Sequence, residues 1–188
     1  MHLAVKANDI ELLKFLETLE NIDFDMGDID GETPLISAIS KEKDDLARFL
    51  IDKGANMSHR TLKNNWTPIY VAACLGTIEM LEFLIGKGAD VNSMTKLRRT
   101  ALTKACWMGR TDSVRILLKH PHILIDHKAN DDRTALHMSV WGCYGGMYQK
   151  KMGSNPKDCP DCARLLLEAG ADPNSRDIKG KTPLHTAA

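Results

Sequence analysis

The chain predicts an all-α protein, a stack of short helix-turn-helix units, and three observations carry the prediction. A threonine followed by proline or alanine and then an aliphatic residue recurs as Thr33-Pro34-Leu35, Thr67-Pro68-Ile69, Thr100-Ala101-Leu102, Thr134-Ala135-Leu136 and Thr182-Pro183-Leu184. Subtracting those numbers gives intervals of 34, 33, 34 and 48 residues, a period typical of units that stack into a solenoid. Glycines then recur where helices should stop, in "GAN" (54–56) and in "GAD" (88–90 and 170–172).

Each unit reads as two helices. Threonine caps a helix N-terminus because its hydroxyl accepts from an orphan amide, and proline suits the first helical position because its missing N–H had no partner there. The first helix should end at Asn8, Gly76 or Gly109, residues that accept a left-handed C-cap. A second helix follows with apolar residues at helical spacing, Ile78, Leu81 and 83–85 in one copy, Val114 and 116–118 in the next. Small residues after each threonine, Ala38, Ala72, Ala73, Ala105, Cys106, Ser139 and Ala187, let helices approach closely. One helical hairpin cannot bury both faces, so stability must come from stacking.

Composition narrows the function classes. Lys plus Arg and Asp plus Glu each number 25, so no overall field draws the chain to nucleic acid or an anionic membrane. Apolar runs such as 116–118 and 165–167 are far too short to span a bilayer, and Lys6, Asp9 and Glu11 stand where a signal peptide needs an apolar core. Five cysteines, an odd number, suit a reducing compartment. A soluble chain in the cytoplasm or nucleus is expected.

The motifs "HLAVKANDIELLKFL" (2–16), "DGETPL" (30–35), "TPIYVAACLGTIEMLEFLIGKGADVN" (67–92), "RTALHMSV" (133–140) and "ARLLLEAGADPNSRDIKGKTPLHTAA" (163–188) resemble the ankyrin repeat family. The resemblance implies an ankyrin-repeat solenoid with hairpin-like finger turns and a concave binding surface. One domain, 1–188, is expected, with approximate units 1–29 (partial), 30–62, 63–95, 96–129, 130–177 and 178–188 (partial). The partial ends lead to the expectation of a piece of a longer protein. Glu42 stands where a helix-ending glycine is expected, and "KHPHILID" (119–126) replaces the usual "GAD" turn. The 48-residue interval leaves about fifteen extra residues between two helices, an insertion at 143–157. Its glycines, Met147, Tyr148, Met152 and lysines suit a binding loop; a neutral insertion is the competing reading, because loop closure grows costly only slowly with length.

Catalytic motifs are absent from the sequence: there is no phosphate-binding "GxxxxGK[ST]", no "GxGxxG" and no "HExxH". No enzyme and no cofactor is expected on this chain. The rival expectation is a recruiting or regulatory part of a larger enzyme. Cys159-Pro160-Asp161-Cys162 is the one metal-like signal; with Cys143 and His137 it would make a Cys3His zinc set. The competing reading places Cys162 at the core position of Ile78 and makes Cys159 a helix cap. His137 and His185 in "TxLH" read as buried imidazoles bonding a neighbouring turn, as the resemblance implies. The histidines at 120, 122 and 127 read as exposed turn residues.

Equivalent positions place Ser40, Cys74, Trp107 and Trp141 in one column, Lys41, Leu75, Met108 and Gly142 in the next, and Trp66 and Arg99 just before a threonine. The expected partner-binding residues are therefore Trp66, Cys74, Leu75, Arg99, Trp107, Met108, Trp141 and Tyr148. Tryptophan and methionine anchor interfaces because they bury much area. A protein or peptide partner is expected, with nucleic acid disfavoured because the basic cluster is short and flanked by acid.

Overall fold

The computed structural model describes residues 1–18, 23–144 and 159–187. They form helices and turns, with no strand among the described residues: α1 (His2–Ala7), α2 (Ile10–Glu17), α3 (Pro34–Ser40), α4 (Asp44–Asp52), α5 (Pro68–Leu75), α6 (Ile78–Gly86), α7 (Ala101–Met108), α8 (Thr111–Leu118), α9 (Ala135–Tyr144), α10 (Cys159–Glu168) and α11 (Pro183–Ala187). Odd-numbered helices form an inner row, each packed on the next, and even-numbered helices form an outer row.

The caps explain where helices begin. Thr33, Thr67 and Thr100 accept from the amides of Ile36, Tyr70 and Thr103 at 3.3, 3.4 and 3.3 Å, and Asp9 accepts from Leu12 at 2.9 Å. Their ends follow expectation: Asn8, Gly76 and Gly109 are left-handed, with φ of 57°, 82° and 66°. Glu42 takes φ 55° at the position the others give to Asn or Gly. Helices α4, α6 and α8 start without a side-chain cap. The entry of α4 and α8 is held by backbone, Lys43 N–H donating to Ala38 C=O and Arg110 N–H to Ala105 C=O, both at 2.9 Å, and that of α6 by the Thr77 hydroxyl donating to Ala72 C=O at 3.5 Å.

The core is a column repeated along the stack. Leu50, Leu84 and Leu166, each four residues before a helix-ending glycine, are fully buried, as is Leu117 in α8. Burying each such side chain contributes about 1.5–3 kcal/mol, and stacking is what completes it. The inner-row residues Ala38, Ala72, Ala73, Ala105, Cys106 and Ser139 are also buried, which permits the close spacing of that row.

Successive fingers are tied by backbone hydrogen bonds. Leu62 N–H donates to Asp30 C=O (2.9 Å), Lys96 to Asn64 (3.0 Å), Asn130 to Leu97 (3.1 Å) and Ile178 to Asp131 (3.1 Å). The turn needs a left-handed residue two before the threonine, filled by Gly31, Asn65, Arg98, Asp132 and Gly180. The "KHPHILID" turn is pinned by Asn92, whose amide donates to His122 C=O at 2.7 Å and accepts from Leu124 N–H at 3.0 Å.

Candidate partner-binding face

The expected contact residues fall into three groups. Trp66 and Trp141 are large aromatics at the surface, 39% and 38% exposed. Trp107, Leu75, Cys74 and Arg99 are half-buried. Met108 corrects the expectation: it is 5% exposed and belongs to the core. Helix α7 is packed between α5 and α9, and a step of about 100° round the helix from Trp107 takes the next side chain out of the exposed sector. Tyr148 lies outside the described residues, as does most of the 143–157 insertion.

Three residues that the motif analysis passed over complete this face. Tyr70 stacks on Trp66 with ring centroids 5.9 Å apart. The Lys104 ammonium lies 3.7 Å from the centre of the Trp107 ring, and the Arg133 guanidinium 4.2 Å from that of Trp141. Cation–aromatic stacking of this kind is worth about 0.5–1 kcal/mol at exposed sites and fixes both partners. The signals were present: Lys104 stands three residues before Trp107, on one helix face, and Arg133 shares the pre-threonine position of Trp66 and Arg99.

Electrostatics join these residues into one patch. Burial raises the Tyr70 phenol above its ordinary value, with the Cys74 sulfur adding and Arg99 opposing. Burial also pushes the Cys74 thiol up to about 12, against the pull of Lys104 and Arg110, so this cysteine is a neutral thiol and no nucleophile. Burial lowers the Lys104 ammonium, Cys74 opposes, and the Arg99 charge lowers it further. Arg99 and Arg133 both face Asp131, at 3.9 and 3.7 Å, and Arg133 also faces Asp177 at 3.5 Å. Asp177 is buried, which by itself raises its carboxyl. The amides of Lys181 and Lys179, both at 2.9 Å, together with Arg133 outweigh that and hold it below the ordinary carboxylate value.

Of the zinc candidates, the side chains of His137 and Cys162 are described, and each has a place in the packing. His137 Nδ1 accepts from Thr134 N–H at 3.3 Å and faces its hydroxyl at 3.1 Å, while Nε2 donates to Lys181 C=O at 3.0 Å. Both ring nitrogens are engaged in joining two fingers. His185 corrects the expectation of a buried imidazole: it is exposed, and its Nδ1 repeats the contact to its own threonine at 2.7 Å to Thr182 Oγ1. Cys162 is fully buried, eight residues before Gly170 just as Leu46 and Met80 stand before Gly54 and Gly88, so its core equivalent is Met80 and not Ile78. The side chains of Cys143 and Cys159 lie outside the described residues, and among those described no three His, Cys, Asp or Glu could hold a metal ion. Cys159 is the first residue of α10 where a cap was expected. His127 is half-buried, its Nε2 donating to Arg98 C=O at 2.9 Å.

A stack of helical hairpins joined by fingers, with aromatic and cationic side chains on its inner row, defines a helical repeat protein. The chain belongs to the ankyrin repeat family: the model "Ankyrin repeats (3 copies)" matches residues 1–95, and "Ankyrin repeats (many copies)" matches 74–118 and 152–188. The ankyrin repeat protein YahD of Escherichia coli is 28% identical over 98% of this chain and 86% of its own length. The E3 ubiquitin-protein ligase KEG of Arabidopsis thaliana is 26% identical over all of this chain, which spans 14% of that protein. A crystal structure of an ankyrin repeat domain from Acinetobacter baumannii superposes with TM-score 0.84 and 28% identity over 99% of this chain and 88% of the other. Ankyrin repeats are in general protein–protein interaction modules and typically non-catalytic. No described helix is long and apolar enough to cross a membrane.

Proposed function

We propose that this chain is a non-catalytic recognition domain, one unit from 1 to 188, that binds a partner protein or peptide through its inner-row face and fingers. The observation that carries the reading is the contiguous patch in which Trp66, Trp107 and Trp141 alternate with Arg99, Lys104 and Arg133. Tryptophan and arginine are the side chains that dominate interface energetics, and exposed aromatic patches mark contact sites. Nucleic acid is not the partner in this reading, and the work is done inside the cell.

Affinity capture tests it, comparing wild type, the double variant Trp107→Ala with Trp141→Ala, and a form lacking 145–155, each shown to be folded by circular dichroism. A partner kept by the shortened form and lost by the double variant is the expected result. A partner kept by the double variant and lost with the loop would move the function to the insertion. The relationship to the much longer ligase KEG favours a second reading, in which the domain recruits substrate for a larger enzyme; a catalytic module in the same reading frame would establish it.

A further inference from the structure

The acidic and basic residues balance over the whole chain, 25 against 25, but they are segregated within the stack. From Gly54 through Ile78, and again from Val91 through Gly109, there is no Asp or Glu. These stretches are the fingers and inner helices α5 and α7 of two successive units, and they carry Arg60, Lys63, Lys96, Arg98, Arg99 and Lys104. The carboxylates of the same units, Glu79, Glu82, Asp90, Asp112 and Asp126, stand on the outer helices α6 and α8 or in the turns after them.

Most of these cations are placed without a carboxylate beside them: among the described residues, Arg99 is the one of the six with a carboxylate in range, Asp131 at 3.9 Å. Arg60 and Lys96 each give one N–H to a backbone carbonyl of a neighbouring finger, Met94 and Leu62, both at 2.6 Å, which anchors the charge at the rim. Lys104 is held on Trp107. The field is also bounded: the first finger carries Asp25, Asp28, Asp30 and Glu32, and the fourth Asp131 and Asp132. A nucleic-acid strand running along the stack would meet carboxylates at both ends, whereas a short acidic segment stays within the basic zone.

We propose that the face between Trp66 and Trp141 takes a short linear acidic peptide segment. Its carboxylates meet Arg99, Lys104 and the rim cations, and an apolar side chain lies against Trp66 or Trp107. Crossing α5, α7 and α9 at about 8–10 Å per helix spans about 20 Å, or about six extended residues. The inference rests on reading this face as a protein-binding surface and adds the chemistry of the occupant. Charge of this kind fixes register and speeds encounter.

The test selects random dodecapeptides displayed as a library against the full chain, then measures the enriched peptides by fluorescence anisotropy beside a dodecauridylate RNA. The expected peptides are net acidic with at least one aromatic or aliphatic residue. Their binding weakens with salt and by about fivefold in each of Lys104→Gln and Arg99→Gln. It weakens in Trp107→Ala and is unchanged in Lys119→Gln. Neutral or basic peptides that still depend on Trp107 would overturn the acidic chemistry and leave the binding face standing. Peptides indifferent to Trp107 and to both cations would overturn the face as well. No enrichment, or RNA bound more tightly than any selected peptide, would sink the proposal.

Discussion

Gly31 and Gly180 offer a controlled measurement of how one unit leans on the next. They share a turn position, two residues before a threonine, and the same φ of 71°. Their surroundings differ. A Cβ on Gly31 would sit 2.7 Å from the backbone nitrogen of Leu62 and 2.6 Å from its Cγ, whereas one on Gly180 would meet nothing within 4 Å. Alanine at either site incurs about 1–2 kcal/mol for the left-handed backbone, offset by about 0.4–1 kcal/mol because alanine also restricts the unfolded chain. At position 31 the Leu62 side chain can move aside, but its backbone nitrogen cannot without stretching the 2.9 Å bond to Asp30 C=O. Losing that bond adds about 1 kcal/mol. Gly31→Ala should therefore lower stability by about 2 kcal/mol, and Gly180→Ala by about 1 kcal/mol. Urea unfolding followed by tryptophan fluorescence and by circular dichroism measures both, coincidence of the two probes establishing that each variant unfolds as one unit. Equal losses in the two variants would refute the claim that the Leu62 contact, and not the turn alone, requires glycine at 31.

Other consequences are open to measurement. Ser113 is fully buried, its hydroxyl has no hydrogen-bond partner among the described residues, and it occupies the column of Leu46, Met80 and Cys162; Ser113→Ala should raise stability by about 1 kcal/mol in urea unfolding. Asn92→Ala removes both bonds to the 119–126 turn and should lower stability by about 1–2 kcal/mol, with faster amide exchange at Leu124. The Asp177 carboxyl lies below its ordinary value of 3.8 in the folded chain. Its stabilisation is therefore complete above that pH and lost as pH falls through the lower folded value. Asp177→Asn should be the less stable form at neutral pH, and the gap to wild type should close in thermal melts below about pH 4.

Much of this protein was legible without coordinates because the signals are local. A threonine hydroxyl caps a helix three residues on, Asn8, Gly76 and Gly109 accept a left-handed turn, and neither depends on distant residues. Period added the rest of the fold: four complete copies of one unit, with partial ones at both ends, admit only stacking as the way to bury their shared apolar column. The tie made by His137 followed from the same repetition, whereas His185 is exposed and bonds its own Thr182.

What needed tertiary structure was the angular position of side chains and the reach of long ones. Met108 and Trp107 are neighbours in sequence and both apolar, yet packing against two flanking helices buries the first and leaves the second half open. Lys104 and Arg133 carry no motif that singles them out until the fold lays their cationic ends on tryptophan rings. Cys162 looks like half of a metal pair in a CxxC motif, but the register of α10 turns it into the core. Sequence alone determined the unit, its caps and its repetition, because these are set by backbone chemistry within a few residues. Only the stacked structure decided which aromatic and cationic groups from separate units share a face, because that depends on contacts between residues about thirty positions apart, one repeat to the next.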